Sequence, residues 1–273
     1  MLVVQSNQSC LVGHFLSQLS SLRVISVDAI RDYRRLWVVV TLLAVFLPTT
    51  GAWAQEIDAP PNDVSVLKLP PSLTVYQGRK IAQTMHYLGA EWLTRDSREQ
   101  EERCSLMLTN LGIRSGMTIC DMGCGNGFYT VQLAKMVGPQ GKVYGVDIQP
   151  EMLELLKKRA EKSQVTNVVP VLGTLVDPQL PAGKMDLILC VDVYHEFSHP
   201  VHMLAAMRDA LSPTGQVALV EFRAEDPEVP IKPEHKMTKA QIMKEWPVNG
   251  FKLVKEFDNL PWQHMMFFGR DGG

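Results

Sequence analysis

The chain reads as an α/β protein: a Rossmann-like, doubly wound, mostly parallel seven-stranded sheet with a C-terminal antiparallel hairpin. Three observations predict it. From Gly116 onward, short apolar runs alternate with helical stretches, the pattern of strands joined through crossover helices. The first of these runs leads into Gly123-Cys124-Gly125-Asn126-Gly127, a loop at the strand end where such sheets bind ligands. The last two runs, Phe251 to Phe257 and Gln263 to Phe268, read as a closing hairpin.

The elements follow in order. In residues 1–54, Arg31-Asp32-Tyr33-Arg34-Arg35 is basic and Leu36 to Leu47 is almost wholly apolar. Ala52-Trp53-Ala54 then gives a small-x-small site before Gln55. Basic, apolar, small is the order of a secretory signal peptide. The apolar run is shorter than the roughly 20 residues of a membrane span. The expectation is therefore export to the periplasm or beyond, with no stable membrane span after cleavage. Without cleavage the protein would stay anchored, and a buried core helix is the alternative use of the run. Residues 55–75 are rich in Pro, Asp and Asn and read as a linker.

Residues 76–115 are expected to form an N-terminal helical cover, with amphipathic stretches at Tyr76 to Lys80 and Gly89 to Glu99. Arg98 and Glu102, four apart, read as a solvated face. The main domain spans 116–273. Its first strand covers Met117 to Met122, and a helix is expected over Phe128 to Val137. A second strand, Lys142 to Asp147, precedes a helix opened by Pro150-Glu151 and running to Lys162. Val168 to Leu172, Met185 to Val191 and Gln216 to Phe222 supply the next strands, with Asp186 a strand-start residue. Thr238 is placed to cap a helix ending near Trp246.

The 273-residue chain is 46% hydrophobic and 21% charged, enough to bury a substantial core. A net charge of −2 gives no whole-chain case for nucleic acid. Of five cysteines, Cys120 and Cys190 sit in apolar runs that suit reduced, buried thiols, and no disulfide framework is expected.

The glycine loop carries the chemistry. Its glycines at 123, 125 and 127 do not fit the dinucleotide spacing G-x-G-x-x-G. It also begins with Asp121, an acid that would repel a pyrophosphate and that suits an ammonium. The second strand ends in Asp147, placed to accept hydrogen bonds from ribose hydroxyls. The run Asp121-Met122-Gly123-Cys124-Gly125-Asn126-Gly127 resembles the first motif of class I S-adenosylmethionine-dependent methyltransferases, over roughly Cys104 to Phe268. The stretches His195-Glu196-Phe197, Glu221-Phe222-Arg223 and His235-Lys236-Met237-Thr238 add a likeness to exported bacterial methyltransferase-domain proteins.

The resemblance implies S-adenosyl-L-methionine as cofactor and residues 116–273 as the methyltransferase domain. Asp121, Gly123, Cys124 and Gly125 would hold its methionine part, Asp147 the ribose and Ile148 the adenine. Thr174 and Leu175 would border the adenine edge, while Val191 and Asp192 would face the methyl-transfer zone. The N-terminal cover would close over the donor, with Arg95 and Arg98 as candidates. A small-molecule methyl acceptor is expected, and no nucleic acid. The alternatives are a non-catalytic nucleoside-binding relative and a nicotinamide-dependent dehydrogenase.

One stretch argues for something else. His195-Glu196-Phe197-Ser198-His199 has the spacing H-E-x-x-H of zinc proteases, which need both histidines on one helical face. Pro200 decides against it, because proline favours the first helical position and leaves both histidines in the preceding loop. Glu221 could supply a further ligand but lies on another strand. No metal is expected, and His195 and Glu196 become candidates to orient an acceptor or take its proton.

Overall fold

The computed structural model describes residues 69–272. The leader, and the linker as far as residue 68, lie outside the described residues. The main sheet is built from β1 (Thr118–Met122), β2 (Lys142–Asp147), β3 (Val168–Leu172), β4 (Met185–Val191), β5 (Leu211–Arg223), β6 (Phe251–Phe257) and β7 (Gln263–Arg270). Their spatial order is β3-β2-β1-β4-β5-β7-β6. The first five pair in parallel, and β7 runs antiparallel to both β5 and β6. An eighth, two-residue strand, Lys236–Met237, adds to the end of β5 at Phe222 and Arg223.

The central strands are apolar on both sides because helices cover both faces. Along β4, Leu187 and Leu189 join one core while Ile188 and Cys190 join the other. That is the two-residue period of a strand. Two helices against the sheet, Thr130–Val137 and Pro200–Ala210, bury Leu133 and Leu204 completely. Another, Pro150–Lys162, buries Leu156. Thr238 caps the helix Lys239–Glu245 by accepting from the Gln241 amide. Asp186 accepts from the Thr118 amide (2.9 Å) and the Ser212 hydroxyl, tying three strand starts together. The four cysteines among the described residues are buried and unpaired.

The expected helical cover differs from what forms. Tyr76 to Lys80 is not helical: Val75–Tyr76 pairs antiparallel with Arg79–Lys80. Gln77 (φ +52°) and Gly78 (φ +92°) make the turn, and two successive left-handed residues suit a tight hairpin rather than a helix. The stretch Tyr87–Thr94 is a 3-10 helix, and α-helix begins only at Arg98. The expected helix start at Phe128 shifts to Thr130 because the glycine loop continues through Tyr129. Arg98 and Glu102 are not solvated either. They are 6% and 1% exposed and joined at 2.8 Å, because the cover folds them inward over the sheet.

Candidate functional site

One cavity of about 460 Å3 opens at the carboxyl ends of β1, β2 and β4. Gly123, Gly125, Asp147, Ile148, Leu175, Val191, Asp192, His195 and Glu196 all line it. The sequence motifs, scattered from Gly123 to Glu196, therefore meet at one place, as the switch point of such a sheet requires.

The loop after β1 depends on glycine. Gly123 and Gly125 have φ of +66° and +52°, and a Cβ on either would overlap Val193 or Leu93. Asp147 holds this loop against β2: its carboxylate accepts from the Gly125 and Gln149 amides, each at 2.9 Å. Gln149 in turn accepts from the Tyr87 amide and donates to the Met85 carbonyl, which draws the N-terminal cover over the cavity. Ile148 and Leu175 keep 36% and 39% of their surfaces exposed beside Met152, a slot wall rather than core.

Asp121 and Cys124 do not line this cavity. They border a second one of about 30 Å3 that shares Leu93, Arg98, Gly123 and Val191 with the first. Asp121 accepts from the Thr130 hydroxyl at 2.5 Å. Burial pushes its carboxyl up to about 6, against the pull of Thr130 and Arg98. Thr174 also lies outside the cavity lining. Its hydroxyl accepts from the Asp177 amide at 2.9 Å, which closes its own turn. Asp192 follows β4 with φ +52°, and one oxygen accepts from Gln263 at 2.7 Å. Its other oxygen, Oδ1, is buried with no partner among the described residues.

Across from the glycine loop, Tyr194–Glu196 forms one 3-10 turn. Glu221 of β5 organises it, accepting from the Tyr194 amide at 3.0 Å and approaching His195 Nδ1 at 2.6 Å. Burial would lower the His195 pKa, but the carboxylate of Glu221 outweighs it and leaves it raised. Nε2 of the same ring lies 3.1 Å from Nδ1 of His235. Burial raises Glu196 to about 7, and its carboxylate accepts from the Met85 amide. Arg79 of the N-terminal hairpin clamps the turn, donating to the His195 carbonyl and pairing with Glu245 at 2.9 Å.

His199 takes no part. It stands one residue before the helix Pro200–Ala210, with its Nε2 2.7 Å from the Pro70 carbonyl oxygen. The two histidines of the H-E-x-x-H spacing thus diverge, as Pro200 implies. The donor atoms of His195, Glu196 and His235, by contrast, lie within 4.8 Å of one another. Of the two candidate arginines in the cover, Arg98 lines the cavity, together with Glu102, and Arg95 does not. Arg95 instead stacks on Trp92, 3.8 Å from its ring centre.

Phe197, Phe222 and His235 line the cavity from stretches already singled out in the sequence, though not as site residues, whereas Thr84, Met85 and Ile231 carry no local motif. Their signal was only proximity in sequence to strand ends, which is too common to single them out.

Comparison with known proteins fits this arrangement. Residues 113–265 match the sequence profile described as a methyltransferase domain. The chain is 32% identical over 163 residues to a ribosomal protein L11 methyltransferase from Burkholderia thailandensis, covering 59% of this chain and 44% of that one. It is 25% identical over 114 residues to a demethylmenaquinone methyltransferase from Geobacillus, covering 42% and 49%. Matches of this kind span half or less of the curated relatives' own length. A crystal structure of a SAM dependent methyltransferase from Aquifex aeolicus shares the fold, with a TM-score of 0.64 and 24% identity. That superposition covers 68% of this chain and 98% of that one.

Proposed function

Because the chain belongs to the methyltransferase-domain family, we propose that it transfers a methyl group from S-adenosylmethionine to a small-molecule acceptor. One observation carries this reading: the glycine cradle with Asp147 and the pair His195 and Glu196 line a single cavity. Its volume of about 460 Å3 falls within the range of small-molecule sites, roughly 300–1,000 Å3.

The residues suit the donor. Each Asp147 oxygen already accepts one amide and keeps a further lone pair for a ribose hydroxyl. Ile148, Met152 and Leu175 offer apolar surface for a flat base. The unpartnered Asp192 Oδ1 offers an acceptor for an ammonium, whose charge would offset the burial and the Glu102 and Glu221 carboxylates that push the Asp192 carboxyl up, and the backbone at Gly123 and Gly125 leaves room for close approach. When bound in the cradle of Gly123, Gly125 and Asp147, the donor would supply a methyl group on a sulfonium, activated for transfer to an acceptor's lone pair with the sulfonium sulfur as leaving group. The chain's task is then alignment and exclusion of water, worth up to about 7–11 kcal/mol when the geometry is right. His195, Glu196 and Phe197 form the acceptor side, with Phe222 and Ile231 as apolar walls and Lys232 at the exposed edge. A compact apolar acceptor with one ionisable group fits these walls. The leader pattern in residues 1–54 supports action after export.

Calorimetry of the purified chain with S-adenosylmethionine, its demethylated product and a nicotinamide cofactor tests the reading. Binding of the first two is expected. Preference for the nicotinamide cofactor would reject it. Donor turnover that rises with a methyl acceptor distinguishes an enzyme from a nucleoside-binding relative.

A further inference from the structure

We propose that His195, Glu196 and His235 bind a divalent first-row transition-metal ion on the acceptor side of the cavity. The proposal goes beyond methyl transfer and does not depend on it. It also reverses the sequence expectation of no metal, with a different second histidine from the one the H-E-x-x-H spacing suggests.

The geometry is specific. Glu221 Oε2 sits 2.6 Å from His195 Nδ1, so that nitrogen carries the proton and, in the neutral ring that a metal selects, Nε2 presents its lone pair. A carboxylate behind a histidine in this way is the usual outer support of a metal-binding imidazole. Nε2 of His195 and Nδ1 of His235 are 3.1 Å apart, with the rings nearly perpendicular at 84°. Two nitrogens each about 2.0–2.1 Å from one ion are about 2.9–3.4 Å apart at octahedral or tetrahedral angles. The observed spacing falls between these limits. A Glu196 oxygen completes a cluster whose three donor atoms lie within 4.8 Å.

Tertiary structure holds all three donors. His195 and Glu196 share the 3-10 turn clamped by Glu221 and Arg79. His235 ends the turn Pro233–His235, and the next residue, Lys236, pairs with Phe222, the neighbour of Glu221. All three donor residues line the cavity, which leaves further coordination positions open toward an acceptor. Two imidazoles and one carboxylate with open positions suit zinc or iron(II) rather than magnesium or calcium, which take oxygen ligands. An acceptor bearing a hydroxyl, thiol or carboxylate could then ligate the ion beside the donor.

The test uses the full chain, stripped with a chelator and titrated with Co2+. One Co2+ per chain, with visible d–d bands and displacement by Zn2+, is expected. Glu221→Gln should weaken Co2+ binding by about 10–100-fold, the usual effect of removing an outer partner. His235→Ala, at a half-buried and therefore tolerant position, should weaken it further still. His199→Ala should keep the site. Thermal unfolding of each variant checks that it is folded. Absence of Co2+ binding, or Co2+ binding indifferent to His235→Ala, would overturn the proposal. Affinity for the demethylated donor product, measured on the same samples, separates the two readings. Its loss from the wild-type chain with Co2+ binding intact would reject methyl transfer alone.

Discussion

Glu221 Oε2 and His195 Nδ1 lie 2.6 Å apart with both side chains essentially excluded from solvent. The other oxygen of Glu221 accepts from two consecutive backbone amides, those of Tyr194 and His195. A single carboxylate therefore sets both the ring orientation and the turn that carries it. Replacing it by an apolar side chain strands three donors. Glu221→Leu is expected to destabilise the fold by roughly 3–5 kcal/mol. Glu221→Gln, which keeps an acceptor for the amides, should lose less. Chemical denaturation will show this ordering. Equal midpoints for wild type and the leucine variant would contradict it.

The cradle makes a separate prediction. Asp147→Ala removes a ribose partner and also frees the Gly125 amide. Binding of the demethylated donor product should weaken by roughly 1.5–3 kcal/mol. Gly125→Val places a branched side chain where even a Cβ overlaps Leu93, at φ +52°, and should abolish binding. Calorimetry giving wild-type affinity for both would remove Asp147 and the loop from the donor site.

Asp121 gives a pH dependence. Burial comes first in raising its carboxyl to about 6, Thr130 and Arg98 act against it, and Asp147 adds to it. The folded chain thus holds this proton to higher pH than the unfolded chain. Its stability contribution is consequently greatest below the unfolded value and falls as pH rises from about 4 to 6. Above pH 6 the accumulated penalty is roughly 3 kcal/mol, at about 1.4 kcal/mol for each pH unit crossed. Asp121→Asn should flatten this part of the stability profile and raise stability at pH 7. It should also weaken donor binding, if the ionised carboxyl partners the donor's ammonium. An unchanged profile between pH 4 and 6 would show that Asp121 does not titrate there.

The leader is tested by protein chemistry in the native host. The mature chain is expected to begin at Gln55, after Ala52-Trp53-Ala54. A cytosolic product that retains residues 31–54 on terminal sequencing would reject export.

The sequence by itself determined the elements and the places where the chain must turn. The strand runs at 142–147, 168–172, 185–191 and 251–257, the helix at 150–162 and the helix start at Pro200 coincide with those observed. Each is dictated locally, by short apolar runs, by proline at a first helical turn and by glycines that alone accept the required backbone. Tertiary structure decided the partners. His195 and His235 are forty residues apart and meet because a two-residue strand pairs alongside the end of β5. Arg98 and Glu102 look like a surface pair, yet they are buried once the cover folds over the sheet. Thr174 has a suitable hydroxyl, but its own turn consumes it. Backbone preference is a property of a residue and its immediate neighbours. Burial and pairing depend on what the crossovers bring alongside, and no local pattern encodes that distance.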